Sequence, residues 1–198
     1  MVPQRMTRRR PPPASLGSPD VDVPGTTCHD RPVATLVSGN PGSGKSTLTA
    51  LLRSRGVRAL DADEVPGLAA WTDSSGDVVG DGSLEPTPEL LETCSWGWTG
   101  PRVEQVVDEL GEDGVLLGIA VNQWDFIDLF DGLVLLELDA STQRDRVASR
   151  DPLFREKIAA GLPVMQAQML AHGAQVIDAT RDLEHVAREL VTLLRSGR

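Results

Sequence analysis

No part of this chain restricts its fold more than the segment GNPGSGKS at residues 39–46. It matches the pattern G-x-x-x-x-G-K-[ST], in which a glycine-rich loop wraps its backbone N–H groups around phosphate. The apolar run at 33–38 predicts a buried strand before the loop, and the leucines that follow predict a helix from about Lys45. A strand, a loop and a helix in this order place a phosphate group at a helix N-terminus, whose dipole favours an anion.

The residue types in the loop predict its contacts with a nucleotide. Lys45 supplies a point charge for the β- and γ-phosphates, and the Ser46 hydroxyl is a ligand for Mg²⁺. The sequence therefore predicts a nucleotide phosphate and Mg²⁺ as ligands, and the resemblance described below implies that the nucleotide is ATP. We expect nine residues to line the phosphate site: Gly39, Asn40, Pro41, Gly42, Ser43, Gly44, Lys45, Ser46 and Thr47.

Two carboxylates follow the second predicted strand. The strand at 57–60 is closed by Asp61-Ala62-Asp63, and ligands of open α/β sheets bind outside the carboxyl ends of the strands. Alternate residues at a strand end face the same side, so both carboxylates are expected to face the γ-phosphate. We expect Asp63 to accept a proton from an attacking hydroxyl and Asp61 to help hold Mg²⁺ through water.

Strands alternate with helices along the rest of the chain, which predicts a parallel sheet covered by helices on both faces. Further strands are predicted at 115–120, 133–138 and 175–178, and helices at about 87–97, 101–110, 142–149, 164–172 and after Thr180, which is the expected N-cap of the last one. The segment 72–86 is predicted as a loop or small hairpin, and 151–163 as a polar connector. Asp139 is expected to cap a helix and to take no part in catalysis.

Composition and charge narrow the class of protein. The 198 residues predict one domain, at 33–198, preceded by a Pro/Arg-rich tail at 1–32 with no hydrophobic period. The tail carries a net charge of +2 and the remaining 166 residues a net charge of −12, so nucleic acid is not an expected partner. No apolar run has the ~18 residues of a membrane span. Two distant cysteines exclude a disulfide scaffold.

The chain resembles the nucleoside- and nucleotide-kinase branch of the P-loop proteins, which includes adenylate kinases, shikimate kinases and chloramphenicol phosphotransferase. The resemblance rests on GNPGSGKS, the strand ending in Asp61-Ala62-Asp63 and an arginine-bearing helix near 144–155. It implies a three-layer P-loop NTPase fold whose five-stranded parallel sheet has the order 2-3-1-4-5. It also implies a mobile lid, in which Arg146, Arg150 and Arg155 contact ATP or the transferred phosphate, and a turn around Ala179 that lies against adenine.

Departures from that branch concern the acceptor. Shikimate kinases carry a glycine triplet after the third strand, whereas this chain reads GIAVNQ at 118–123. The acceptor-side segment 64–110 is acidic and contains Arg102 as its one basic residue, which disfavours an anionic acceptor. Asn122 and Gln123 are candidate contacts for acceptor hydroxyls. The four tryptophans, none of which is predicted to lie in a strand, are candidates for an aromatic pocket wall or for core positions: Trp71, Trp96, Trp98 and Trp124.

The sequence thus predicts a Mg-ATP-dependent phosphotransferase that transfers the γ-phosphate to a hydroxyl of a small molecule. The candidate catalytic residues are Lys45, Asp61, Asp63 and Arg150, with Ser46 and Asp61 at the metal. Two alternatives stay open: a nucleotide kinase with a phosphate acceptor, and an ATP-binding regulatory switch with slow ATPase activity. We expect a cytoplasmic monomer or homodimer without membrane partners.

Overall fold

The computed structural model describes residues 34–84 and 87–196, so the predicted tail at 1–32 lies outside the described residues. The strands are β1 (Thr35–Ser38), β2 (Ala59–Asp61), β3 (Ala69–Thr72), β4 (Val78–Gly80), β5 (Ser95–Trp98), β6 (Val115–Gly118), β7 (Gly132–Glu137) and β8 (Gln175–Asp178). The helices are α1 (Lys45–Ser54), α2 (Pro88–Thr93), α3 (Gly100–Leu110), α4 (Ala140–Arg146), α5 (Pro152–Ala171) and α6 (Leu183–Ser196), with a 3-10 helix at Gln123–Leu129.

A five-stranded parallel sheet in the order β2-β6-β1-β7-β8 is the centre of the fold. β1 pairs with β6 on one side and with β7 on the other, in registers that align their starts, and all pairings in this sheet are parallel. The carboxyl ends of the strands therefore lie at one common edge. The predicted fold class, a parallel sheet flanked by helices, is confirmed.

Alternate residues of the central strands pack on opposite faces of this sheet, as the period of two in a strand requires. Val37 and Leu117 belong to the core beneath α1 and α6, whereas Leu36 and Leu116 belong to the core beneath α3. All four are fully buried. Burial of such leucine and valine side chains contributes roughly 1.5–3 kcal/mol each, so both helical layers are held by the same short strands.

A second, antiparallel sheet of three strands lies along the chain between β2 and β6, in the order β4-β3-β5. It corrects two predictions. The expected helix at 87–97 ends at Thr93 as α2, and Ser95–Trp98 is a strand that pairs with β3. Trp71, Trp96 and Trp98 therefore do lie in strands, because aromatic residues pack well across an antiparallel pair.

The segment 151–163, predicted as a polar connector, is the first half of α5. The prediction of a connector was wrong, because the helix begins at Pro152 and continues through Pro163. The missed signal is a stripe of buried residues at helical spacing: Ile158, Leu162, Met165 and Met169. Burial of this stripe outweighs the hydrogen bond that a proline removes from a helix.

The helix caps confirm one prediction and correct another. The Asp139 carboxylate accepts hydrogen bonds from the backbone N–H groups of Ser141 and Thr142, both at 2.8 Å, and so caps α4 as expected. The N-cap of α6 is Asp182, not Thr180, because Oδ1 of Asp182 accepts the backbone N–H of His185 at 2.8 Å. An aspartate directly before the first helical turn takes this role as readily as a threonine.

Within the described ranges, no helix has the combination of length and apolar character that a bilayer crossing needs.

The closeness of β6 to its neighbours gives a test of the packing. A Cβ at Gly118 would lie 2.5 Å from Cβ of Ala62 and 3.0 Å from the Trp98 ring. We expect Gly118→Ala to destabilise the protein by about 1–3 kcal/mol through overpacking. The matched control is Gly161→Ala in α5, where a Cβ would meet no atom within 4 Å. There the lower helix propensity of glycine predicts a gain of about 0.5–1 kcal/mol. Urea unfolding measures the change in the free energy of unfolding for each variant. Equal changes in the two variants would contradict the close packing around Gly118.

Candidate active site

A cleft of about 470 Å³ opens at the carboxyl edge of the parallel sheet. Its wall is built from residues 41–48 together with Asp63, Ile119, Arg146, Arg150, Ala179, Arg181, Leu183 and Val186. A second hollow of similar volume lies at the opposite edge, against Thr35, Gly132 and Gln175. Only the first contains the glycine-rich loop and a helix N-terminus, so the candidate site is the cleft at the carboxyl edge.

The loop between β1 and α1 takes a shape that depends on glycine, as Gly44 and Gly39 show. Gly44 has φ of +90°, in the left-handed region, and stands directly before α1. A Cβ at Gly39 would lie 2.9 Å from Cβ of Leu136 and 2.7 Å from Oγ of Ser43. The loop can therefore follow β7 closely and turn sharply into the helix, which is the path that a phosphate-wrapping loop needs.

The polar groups of this loop are prepared for a ligand. No side chain caps the N-terminus of α1, so its first N–H groups face the cleft without an internal acceptor. Within the described part of the chain, Nδ2 of Asn40 and Oγ of Ser43 are buried and have no hydrogen-bond partner. Buried polar groups are normally paired. Unpaired donors beside a helix N-terminus fit a bound phosphate.

Lys45 lies at the centre of this arrangement. Its ammonium donates hydrogen bonds to the carbonyl oxygens of Gly39 and Asn40, the second at 3.4 Å. Burial lowers the pKa of Lys45 to about 8, although the Asp63 and Asp61 carboxylates raise it in part; Arg150 lowers it slightly. The side chain thus remains mostly protonated at pH 7 and carries a positive charge among the loop carbonyls.

The structure separates the two carboxylates that the sequence treats as a pair. Asp61 is 2% exposed, and its Oδ1 accepts the backbone N–H of Asp63 at 3.1 Å. Asp63 is exposed, lines the cleft, and accepts a hydrogen bond from Nε1 of Trp96 at 2.9 Å. Asp61 therefore shapes the turn that carries Asp63, and only the Asp63 carboxylate is presented to the cleft.

The three predicted lid arginines occupy different places. Nη1 of Arg146 donates to the carbonyl of Gly42 at 3.2 Å and to that of Ala179 at 2.8 Å, which ties α4 to the loop and to the end of β8. Arg150 lines the cleft and is exposed. Arg155 lies on α5, is half-buried, and is not part of the cleft wall. The structure brings together Arg146 and Arg150 with the loop, and leaves Arg155 outside.

The cleft also contains residues that sequence reasoning missed. Arg181, Leu183 and Val186 continue the wall beyond Ala179, and Ile119 faces them from the end of β6. Arg181 follows Ala179 by two residues, just after the end of β8. The argument that ligands bind at the carboxyl ends of the strands could therefore have identified it. Leu183 and Val186 lie in the first turn of α6, so their place in the cleft wall depends on how that helix packs beside β8.

Two candidates for acceptor contacts have structural roles instead. The Asn122 side chain accepts from the backbone N–H of Trp98 at 2.8 Å and donates to its carbonyl at 2.9 Å. Its amide thus makes the two hydrogen bonds that a neighbouring strand would make with Trp98. Gln123 is fully buried and accepts a hydrogen bond from the Ser38 hydroxyl at 3.0 Å. Asn122 and Gln123 therefore connect the segment after β6 with β5 and β1, and Nε2 of Gln123 points to the sulfur of Met169 at 3.8 Å.

The tryptophans divide between core and cleft. Trp98 is 2% exposed and packs under α3, and Trp124 stacks on His172 at a centroid distance of 5.4 Å. Trp71 is also buried and meets Trp96 edge to face at 5.4 Å. Of the four, only Trp96 has a hydrogen bond to a residue of the cleft wall, Asp63.

The side-chain oxygens at the cleft are too few to hold Mg²⁺ alone and suit an ion that also binds the phosphates of a nucleotide. In the described residues no group of three or more His, Cys, Asp or Glu side chains is placed to hold a metal ion. The exposed Ser46 hydroxyl and the Asp63 carboxylate are oxygen ligands on the cleft wall. Mg²⁺ is commonly held by one or two side-chain oxygens plus substrate phosphates and water, so these residues fit the ion.

Comparisons with known proteins agree with this geometry. No protein-family model matches the chain. A dephospho-CoA kinase from Streptococcus pyogenes serotype M3 is 25% identical over 190 residues, which cover 81% of this chain and 95% of that protein. A dephospho-CoA kinase from Hydrogenovibrio crunogenus is 24% identical, with shares of 81% and 95%. The shikimate kinase from Acinetobacter baumannii, solved with shikimate, has a TM-score of 0.51 and 15% identity, and covers 84% of this chain and 94% of its own.

The chain has the fold of the P-loop kinases. The resemblance that the loop and the Asp61-Ala62-Asp63 strand end predict is therefore confirmed. At 15% identity the likeness to shikimate kinase concerns the fold alone. The sequence relatives are kinases, and the alignment with them spans nearly all of their length.

The buried ammonium in this P-loop predicts a pH dependence of stability. The pKa of Lys45 is about 8 in the folded protein and 10.5 as the ordinary value. Between these values the unfolded chain binds more protons than the folded one, so stability rises with pH. Between pH 8 and pH 10.5 the free energy of unfolding of the wild type should rise by up to about 3 kcal/mol relative to that of Lys45→Met. Denaturant unfolding at pH 7.5 and pH 10.5 measures the difference, and parallel changes in both proteins would show that Lys45 is not buried.

Proposed function

We propose that this protein is a Mg-ATP-dependent kinase that transfers the γ-phosphate of ATP to a hydroxyl group of a small molecule. The observation that carries the proposal is the presence of Lys45, Arg150 and the Asp63 carboxylate in the wall of one cleft, at the end of a phosphate-binding loop. Cations there serve the transferred phosphate, and a carboxylate serves the attacking hydroxyl. The kinase relatives support the same reaction class.

The loop and the helix N-terminus hold the phosphates in this proposal. Backbone N–H groups of the loop and of the first turn of α1, with Asn40 and Ser43, bind the phosphate oxygens. Ser46 would hold Mg²⁺, which neutralises phosphate charge when bound. Lys45 and Arg150 stabilise the charge on the transferred group, so that positioning and electrostatics supply most of the rate enhancement.

Arg146 has a positioning role beside the nucleotide. Its two hydrogen bonds join the loop carbonyl of Gly42 to the strand-end carbonyl of Ala179. The adenine ring would lie near Ala179, Leu183 and Val186, which give the cleft an apolar side. This arrangement keeps the base-binding and phosphate-binding parts of the cleft at a fixed separation.

Asp63 orients the acceptor hydroxyl and accepts its proton as the oxygen attacks phosphorus. Its position depends on the Asp61 carboxylate, which accepts the Asp63 backbone N–H. Asp61 thus acts here through Asp63. A direct role of Asp61 with Mg²⁺ fits its 2% exposure less well.

The charge of the acceptor side favours an acceptor without strong negative charge near the reacting hydroxyl. Residues 62–110 include eleven acidic residues and one basic residue, Arg102. Arg102 is already engaged with Glu109 at 3.2 Å and with the Pro66 carbonyl at 3.3 Å. A phosphate acceptor needs several free cations. The shortage of basic residues in this segment therefore favours a hydroxyl acceptor over the phosphate acceptor of a nucleotide kinase.

The decisive experiment measures phosphate transfer directly. The full chain is incubated with Mg-ATP and a panel of dephospho-CoA, nucleosides, sugars and aminoglycoside-like alcohols, and the products are followed by mass spectrometry. We expect one acceptor to gain the mass of one phosphoryl group. Dephospho-CoA belongs in the panel because the sequence relatives are dephospho-CoA kinases, although its diphosphate is a demanding ligand for so acidic a surface. Tight ATP binding without transfer to any acceptor would favour the regulatory switch.

The role of Asp63 gives a further prediction. Asp63→Asn removes the proton acceptor and keeps the shape of the side chain, so transfer should fall about 10²- to 10⁴-fold. ATP affinity, measured by calorimetry, should be preserved, because the loop and α1 make the phosphate contacts. Asp128→Asn, at an exposed carboxylate of the 3-10 helix, is the control and should transfer phosphate at the wild-type rate. Undiminished transfer by Asp63→Asn would show that Asp63 is not the base.

A further inference from the structure

We propose that Trp96 is a positioning residue for phosphate transfer and that it acts by holding the Asp63 carboxylate in place. This inference rests on the proposed kinase function and adds a residue to its machinery. The contact is direct, since Nε1 of Trp96 donates to Oδ1 of Asp63 at 2.9 Å. Among the described residues no hydrogen bond reaches Oδ2 of Asp63. One carboxylate oxygen is therefore fixed by the indole, and the other is left for an acceptor hydroxyl.

The indole is itself held in place from two directions. Trp71 and Trp96 are cross-strand partners in β3 and β5, and their rings meet edge to face at 5.4 Å with an interplanar angle of 67°. Such aromatic pairs add stabilisation beyond the burial of their area. Trp71 is only 7% exposed, so it forms a fixed seat for the Trp96 ring.

The backbone of Trp96 is held by the segment that follows β6. Its carbonyl accepts the backbone N–H of Val121 at 3.0 Å, and two residues later the Asn122 side chain pairs with both backbone groups of Trp98. The segment that follows β6 thereby fixes the backbone of β5, and β5 in turn fixes the position of the Trp96 indole. Asp63 itself is exposed on a turn, so its side chain depends on such external support.

Asp63 thus has one support for its backbone and one for its side chain. Oδ1 of Asp61 accepts the backbone N–H of Asp63, and the Trp96 indole orients the carboxylate. A base displaced by about 1 Å can lose about a hundredfold in rate, because proton transfer needs hydrogen-bond distance to the acceptor hydroxyl. Loss of the indole N–H should therefore lower turnover and leave substrate binding in place.

The test is Trp96→Phe, which keeps an aromatic ring on Trp71 and removes the N–H donor. We expect kcat to fall by between about tenfold and a hundredfold, with the KM of the acceptor and the Kd of ATP within about twofold of wild type. Trp124→Phe, which alters a tryptophan stacked on His172, is the matched control and should keep the wild-type kcat. A raised KM with an unchanged kcat would overturn the proposal, because it would make Trp96 a contact of the acceptor.

A double-mutant cycle separates positioning from packing. If Trp96 acts through Asp63, Trp96→Phe should cause little further loss in an Asp63→Asn background, since the two effects share one carboxylate. Independent, multiplying losses would overturn the proposal. Wild-type protein that transfers no phosphate to any acceptor would overturn the kinase function and this role together, whereas normal transfer by Trp96→Phe would overturn the role of Trp96 alone.

A spectroscopic measurement checks the contact without an activity assay. The Trp96 indole signal in a ¹H–¹⁵N spectrum of the full chain is assigned by its loss in Trp96→Phe. We expect Asp63→Ala, which removes the acceptor oxygen, to shift that signal while the indole signals of Trp71, Trp98 and Trp124 stay near their wild-type positions. An unmoved Trp96 signal would show that the hydrogen bond to Asp63 is absent.

Discussion

The parallel pairing of β1 with β6 and β7 is the constraint on which the rest of the structure depends. These strands bury alternate residues on both faces, and their registers bring their carboxyl ends to one edge. The phosphate loop, the Asp63 turn and the segment after β6 all leave from that edge. Ligands of open parallel sheets bind there because the connecting loops and helix N-termini converge on it.

The small antiparallel sheet brings an aromatic side chain into contact with the Asp63 carboxylate. It carries Trp71 and Trp96, and Asn122 anchors its β5 strand to the segment that follows β6. Polar residues that looked available for a substrate, Asn122 and Gln123, are used to hold elements together. An amide that is buried without a hydrogen-bond partner costs free energy. Asn122 avoids this cost by pairing with the backbone of Trp98, and Gln123 by pairing with the Ser38 hydroxyl.

Charge is distributed unequally around the cleft. The cleft wall contains Lys45, Arg146, Arg150 and Arg181, whereas the segment 62–110 is acidic. Burial lowers the pKa of Lys45 to about 8, which still leaves it protonated near neutral pH. Basic side chains therefore gather around the glycine-rich loop, and acidic side chains prevail in the segment that contains Asp63.

The sequence by itself determined the parallel sheet and the glycine-rich loop that leads into a helix, because loop spacing and strand periodicity are local properties of the chain. The loop motif identified Lys45 and the strand-end argument identified Asp63, whereas Arg150 was expected from the resemblance to the kinase branch. Only the tertiary structure decided that Asp61 supports Asp63, that Arg155 lies away from the cleft, and that α5 continues through Pro163. The contact of Trp96 with Asp63 joins residues 33 positions apart. Such contacts depend on how separate elements pack, which no local pattern records.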